Sequence, residues 1–174
     1  MLVQLREKIL SPLEFYIEAA AAMRVARERG IKIIINDRVD IALALQADGV
    51  HLGQDDLPPE AARRVLGPDA IIGFSTHDPE QARLATQMPV DYIAVGPIFA
   101  TTTKRAPDPS VGLNGLRIVR QAVGTVPLVA IGGITLENSQ EVLDAGADAI
   151  AVVRNLWIPS GQAAQQTKRL LHRL

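Results

Sequence analysis

Tyr92-Ile93-Ala94-Val95-Gly96-Pro97-Ile98-Phe99-Ala100-Thr101-Thr102-Thr103-Lys104 carries, in one stretch, the grammar that the whole chain repeats. An apolar run with the look of a strand (Tyr92 to Val95) empties into three hydroxyls and an ammonium. Gly96 allows close approach of backbone or ligand, Pro97 fixes φ and stops the strand, and the threonines offer short donors beside backbone N–H groups. Such a loop suits a phosphate, although threonine and lysine are also ordinary constituents of a solvated turn.

The same alternation extends in both directions. Upstream, Met1 to Leu5 reads as a strand continuing into Arg6-Glu7-Lys8, and alternation puts Gln4, Arg6 and Lys8 on one side. Ser11-Pro12-Leu13-Glu14 has capping-box spacing with proline at the first helical position, and the alanine-rich helix it opens runs to Arg29 and stops at Gly30. Strands follow at Ile31 to Ile35, Gly49 to Leu52 and Ile71 to Phe74, each ending in polar residues: Asn36-Asp37-Arg38, Gly53-Gln54-Asp55-Asp56 and Ser75-Thr76-His77. Helices are expected at Val39 to Ala47, Pro59 to Leu66 and Pro79 to Gln87.

Downstream come a helix at Leu113 to Ala122, a strand at Leu128 to Ile131 ending in Gly132-Gly133, and a helix at Leu136 to Asp144. A last strand spans Ala149 to Val153, and an amphipathic helix from Gln162 to Arg173 closes the chain. Ala47-Asp48-Gly49-Val50 and Ala147-Asp148-Ala149-Ile150 echo each other as returns from helix to strand, marking a repeated βα unit.

Strict alternation with nearly all-apolar, β-branched strands implies a parallel sheet covered by helices, hence an α/β fold. Polar residues after almost every strand favour a TIM-type (β/α) barrel, whose site is assembled from loops at the C-terminal strand ends. An open doubly wound sheet would gather them at one switch point. Seven βα units are visible, N-terminally short of eight, and the 174 residues are expected to form one domain.

Composition narrows the function classes. A net charge of −1 gives no basic field for nucleic acid and no polybasic membrane patch. No apolar run approaches the ~18 residues of a membrane span. The absence of cysteine rules out disulfides and thiolate ligands, and a cytoplasmic location is expected.

Taken in series, Gln4-Leu5-Arg6-Glu7-Lys8, Asn36-Asp37-Arg38, Gly53-Gln54-Asp55-Asp56, Ser75-Thr76-His77, Gly96-Pro97 with Thr101-Thr102-Thr103-Lys104, and Ile131-Gly132-Gly133-Ile134 closely resemble the thiamine-phosphate synthase family in order and spacing. The resemblance runs from residue 1 to about Trp157. It implies coupling of 4-amino-2-methyl-5-hydroxymethylpyrimidine diphosphate to 4-methyl-5-(2-phosphoethyl)thiazole, giving thiamine phosphate and pyrophosphate with the help of Mg²⁺. It further implies a pyrimidine-diphosphate site at Gln4, Leu5, Arg6, Glu7, Lys8, Asn36, Ser75 and Lys104, among which Arg6, Lys8, Ser75 and Lys104 serve catalysis. Thr101, Thr102, Thr103, Gly133, Val153 and Arg154 correspond to the thiazole-phosphate site, and Asp37 and Asp56 to the metal ligands.

The residue chemistry agrees with that assignment. Mg²⁺ is usually held by one or two carboxylates with water and phosphate completing its shell, Arg6 can grip phosphate oxygens bidentately, and Lys8 and Lys104 are point charges. Each aspartate also has a plainer reading as the cap of the helix after its strand. His51 reads as a packed or hydrogen-bonded strand-end residue and His172 as part of the closing helix, while His77 is either a cap or a participant at the mouth.

Two departures from the family pattern stand out. Arg154 follows the last strand where many relatives carry serine, and only Met1, Leu2 and Val3 precede the first motif where the family has a further strand and helix. A barrel lacking that unit leaves its first and last strands without neighbours, so an oligomer or a partly open barrel of weakened activity is expected. The alternatives are a related thiazole tautomerase, which uses a histidine as acid–base group, and a shortened non-catalytic phosphate-binding barrel. The expected partners are phosphorylated small molecules and further copies of the chain.

Overall fold

The computed structural model describes residues 1–101, 109–153 and 163–171. They form two compact units: Met1–Ser75 with Met88–Asp91, and Thr76–Gln87 with the described residues from Tyr92 onward. Among the described residues seven strands alternate with seven helices, which is the α/β succession of the TIM-type (β/α) barrel class.

In the first unit β1 (Leu2–Leu5), β2 (Lys32–Asn36), β3 (Gly49–Leu52) and β4 (Ile71–Thr76) pair in sequence order, all parallel. The register sets Leu5 beside Ile35, Asn36 beside His51, and Leu52 beside Phe74. The polar continuations of these strands therefore begin at nearly one level. Helix α1 (Pro12–Arg27) starts where expected: Ser11 Oγ accepts from the Glu14 N–H, and the Glu14 carboxylate accepts from the Ser11 N–H, with Pro12 at the first position. It ends two residues earlier than the sequence suggests, and the chain turns through Gly30 at φ 63°. Its inner face (Phe15, Ala19, Met23, Ala26) is buried at a spacing of three to four residues. Helices α2 (Val39–Leu45) and α3 (Pro59–Leu66) complete this unit.

In the second unit β5 (Tyr92–Val95), β6 (Leu128–Ile131) and β7 (Ala149–Ala151) are likewise parallel and in order. Its helices are α4 (Pro79–Ala85), α5 (Gly112–Val123), α6 (Ser139–Asp144) and α7 (Ala163–Leu171). Ile93, Leu116, Val119, Leu128 and Val142 are fully buried, each contributing roughly 1.5–3 kcal/mol of apolar transfer.

Three aspartates do the same job at the N-terminal feet of strands. Asp48 accepts from the Ile33 N–H at 2.7 Å, Asp91 from the Ile72 N–H at 2.7 Å, and Asp148 from the Leu128 N–H at 2.8 Å. Each immediately precedes β3, β5 or β7 and satisfies a donor near the start of the strand before it. Two of them are held by an arginine, from α3 and α5 respectively. Arg63 reaches Asp91 and the Gly67, Pro68, Ala70 and Pro89 carbonyls, and Arg120 reaches Asp148 and the Gly124, Val126 and Gly146 carbonyls. The repeated Ala-Asp-Gly/Ala returns noted in the sequence are the visible trace of this device.

Asp148→Ala strands the Leu128 N–H and takes the carboxylate from the Arg120 guanidinium, which keeps its carbonyl partners. The variant should lose about 1–3 kcal/mol of stability, read as a lower denaturation midpoint in urea. An unchanged midpoint would show that water replaces the carboxylate at no cost.

Candidate functional site

Exposure alternates along the first strand and its extension, leaving Gln4, Arg6 and Lys8 exposed on one side, as the sequence predicts. Leu5 is half-buried against Ile35. Glu7 works locally, its carboxylate accepting from the N–H groups of Lys8, Ile9 and Leu10. These bonds, that from Ile9 foremost, hold its carboxyl below the usual range. Glu7 thereby shapes the turn that presents Lys8.

Asp37 sits just beyond β2 at φ 61°, a left-handed conformation that aspartate tolerates better than most residues. Its carboxylate takes the ammonium of Lys8. The capping role open to it on sequence grounds is not what it does, because α2 has Arg38 at its N-cap and no side-chain cap bond. Asp56 behaves alike. It accepts from the Gly53 N–H at 2.7 Å within its own loop, while Pro58 stands at the N-cap of α3. Burial raises the Asp56 carboxyl above its ordinary range, and the neighbouring Asp37 carboxylate pushes it further the same way, against the Gly53 bond and Lys8. Two carboxylates released from helix capping thus face each other with a lysine beside them. Among the described residues no cluster of three or more histidine, aspartate or glutamate side chains is assembled for a metal.

Below this group lie the buried strand ends. Asn36 is buried level with His51. The His51 Nε2 lies 2.8 Å from Ser75 Oγ, and burial lowers the imidazole to about 4, with Asp37 opposing. His51 is therefore neutral near pH 7, as a hydrogen-bond partner to serine should be. Ser75 belongs to β4 itself and not to the loop after it, and the Gln54 amide donates to its carbonyl at 2.6 Å.

The second unit holds the other predicted residues. Thr76 is buried and donates to the Ala94 carbonyl at 2.9 Å. His77 Nδ1 lies 2.6 Å from the Gly96 carbonyl, and its own N–H donates to the Gln81 side chain. The cap of α4 is Asp78, which accepts from the Gln81 N–H, so the capping alternative for His77 is not realised. Past Gly96 the chain is laced to the loop after β6: the Ile98 N–H donates to the Ile131 carbonyl at 2.9 Å, and the Phe99 N–H to the Gly132 carbonyl at 3.0 Å. Gly132 and Gly133 stand at φ 98° and 66°. A Cβ on Gly133 would lie 2.7 Å from that of Phe99 and 2.9 Å from the Ala100 carbonyl oxygen, so no side chain fits. Thr101 is half-buried at the end of this loop, and Val153 is exposed just after β7. Thr102, Thr103, Lys104, Arg154 and His172 lie outside the described residues.

Sequence reasoning assigned no role to Gln54, Thr76 or Asn138. Their polar character after strands was the available signal, and partners decide the rest.

A family model described as thiamine monophosphate synthase matches residues 1–156. The chain belongs to that family. It is 48% identical over 171 residues to thiamine-phosphate synthase of Koribacter versatilis, covering 98% of this chain and 80% of that one. Thiamine-phosphate synthase of Albidiferax ferrireducens is 53% identical over 154 residues, covering 88% and 70%. The solved structure of thiamine phosphate pyrophosphorylase from Pyrococcus furiosus superposes with a TM-score of 0.87 at 36% identity, covering 98% of this chain and 81% of that one.

Since neither aspartate supports a helix, Asp56→Asn keeps an acceptor for the Gly53 N–H while removing one charge from the pair. Its stability in metal-free buffer should stay within about 0.5 kcal/mol of the parent or rise. Chemical denaturation checks this, and a large loss would restore a structural role for the carboxylate.

Proposed function

We propose that this chain is a thiamine-phosphate synthase in its own right, joining the pyrimidine diphosphate to the thiazole phosphate and releasing pyrophosphate. The observation that carries the reading is the Asp37–Asp56 pair with Lys8 attached. These are the residues that the family resemblance assigns to the diphosphate and its metal, and they are withheld from the structural roles otherwise open to them.

The donor set suits Mg²⁺. Two hard carboxylate oxygens repelling each other, with exposed cations nearby for phosphate, match an ion that takes one or two carboxylates and completes its shell with water and phosphate oxygen. Asp37 and Asp56 would hold it, and when bound it supplies neutralising charge to the departing pyrophosphate. Lys8 pairs with Asp37 and, with its side chain half exposed, can turn toward a diphosphate. Arg6, exposed on the same side, offers a planar fork to phosphate oxygens. Neutral His51 fixes the direction of the Ser75 hydroxyl. The bond from the pyrimidine methylene carbon to the diphosphate oxygen breaks with its electron pair leaving on pyrophosphate. The thiazole nitrogen lone pair then forms the new carbon–nitrogen bond. No protein group has to move a proton, so catalysis rests on positioning and on stabilising the leaving charge.

On the second unit the thiazole phosphate is assigned to the backbone at Gly133 and to Thr101, with Thr102, Thr103, Val153 and Arg154 as further contacts and Lys104 serving the diphosphate. A cytoplasmic location fits a chain in which, among the described residues, no helix is long and apolar enough to cross a membrane. A homo-oligomer is also proposed, supported by the apolar outer stripe of α1, where Leu13 and Ile17 are 67% and 58% exposed.

A coupling assay with both substrates, with and without Mg²⁺, tests the function. Product should form only with the metal, and Asp37→Ala should lower turnover by about 10²–10³, whereas Thr101→Val should mainly raise KM for the thiazole phosphate. Metal-independent coupling would remove the two aspartates from the ligand role. Isomerisation of a thiazole carboxylate phosphate without coupling would favour the tautomerase. Sedimentation at micromolar concentration checks the assembly, which a monomer would overturn.

A further inference from the structure

The turn from β1 to α1, Arg6 to Leu10, is anchored at both ends. Leu5 is paired with Ile35 on one side, and Ser11 caps α1 on the other. A single oxygen braces what lies between. Glu7 Oε1 accepts from the Lys8 N–H at 2.7 Å, the Ile9 N–H at 2.5 Å and the Leu10 N–H at 3.2 Å. Bonds to an ionised acceptor are stronger than neutral ones, so one carboxylate gives this exposed turn a defined shape.

The placement of that carboxylate is informative. Glu7 stands in the chain between Arg6 and Lys8, two exposed cations read above as phosphate contacts, and the family resemblance counts it among the contacts as well. A carboxylate facing a diphosphate would repel it. Alternation puts Glu7 on the other side from Arg6 and Lys8, and its charge is spent on three amide dipoles of its own turn. Lys8 is consequently held twice, through its main-chain N–H by Glu7 and through its ammonium by Asp37. When the ammonium turns from Asp37 toward phosphate the second hold is released and the first remains, so the backbone that carries the cation is already ordered.

We infer that Glu7 is a positioning residue for the diphosphate: it meets no substrate, and by gathering the N–H groups of residues 8 to 10 it sets the backbone from which Lys8 reaches a phosphate oxygen. The inference rests on the reading of Lys8 as part of the diphosphate site. It assigns Glu7 a role through Lys8, where the resemblance alone makes it a contact.

A double-mutant cycle separates the two roles, because residues that act through one another do not add. Magnesium pyrophosphate binding by calorimetry and KM for the pyrimidine diphosphate are measured for the parent, Glu7→Ala, Lys8→Ala and the double variant. Glu7→Ala should weaken both about tenfold. Added to Lys8→Ala, it should cost less than about twofold more, and KM for the thiazole phosphate should stay unchanged throughout. Glu7→Gln keeps a neutral acceptor for the three N–H groups, so it reports even if the alanine variant folds poorly, and its loss should be only about threefold. Losses that multiply in the double variant, a glutamine variant as weak as alanine, or a Glu7→Ala protein that binds pyrophosphate like the parent would each overturn the inference and leave the coupling activity standing. A parent protein that neither binds magnesium pyrophosphate nor couples the two substrates overturns the functional reading, and this inference with it.

Discussion

A carboxylate at the foot of a strand, accepting from the first donors of the strand before it, is the constraint on which each unit depends. Parallel strands are joined by helices, and no tight turn sets their register as it does in a hairpin. With strands of three to six residues, a slip of one position would exchange every inward side chain for an outward one. Asp48 in the first unit and Asp148 in the second remove that freedom by tying the start of one strand to a fixed point on its neighbour. Everything at the opposite strand ends inherits the result, including the level alignment of Asn36 with His51. Bonds to an ionised acceptor are stronger than neutral ones, so a few residues of sequence carry a large share of the specificity of pairing.

At the other end of the strands the electrostatics run the opposite way. At the feet each aspartate accepts from a strand N–H, whereas Asp37 raises the cost of ionising Asp56, offset by the Gly53 N–H and by Lys8. A protein domain selected for stability alone would not keep two such carboxylates together. The first unit thus holds its charges in an arrangement that a multivalent, phosphate-bearing guest improves. His51 shows the complementary choice, since it is buried and kept neutral, adding direction to a hydroxyl and no further charge.

Much of this was legible in the residues alone. Periodicity and caps located the seven strands and seven helices because local preference and tertiary structure agree along the chain: the capping box at Ser11 and the proline-led starts of α1, α3 and α4 are local signals with local causes. The exposed alternation of Gln4, Arg6 and Lys8 followed from strand geometry. What escaped were pairings between residues far apart in sequence. That Lys8 would take Asp37 and that His51 would take Ser75 depends on register, which composition does not encode. The sequence pattern starts α6 at Leu136, whereas the helix begins three residues later at Ser139, the side chain of Asn138 being spent on the preceding loop. Polar residues end most strands here, which makes Ser75 read as loop, yet the backbone of β4 continues through Thr76.

The pair of glycines after β6 carries a consequence for pharmacology. At Gly133 the space for a β-carbon is already filled by Phe99 and Ala100, and the backbone at both glycines adopts angles that other residues resist. An inhibitor that made its contacts to the main chain there would meet no side chain that a point mutation could enlarge, shrink or recharge. Resistance would have to arise elsewhere, because the surface such a compound reads is one the organism cannot edit without unmaking the loop.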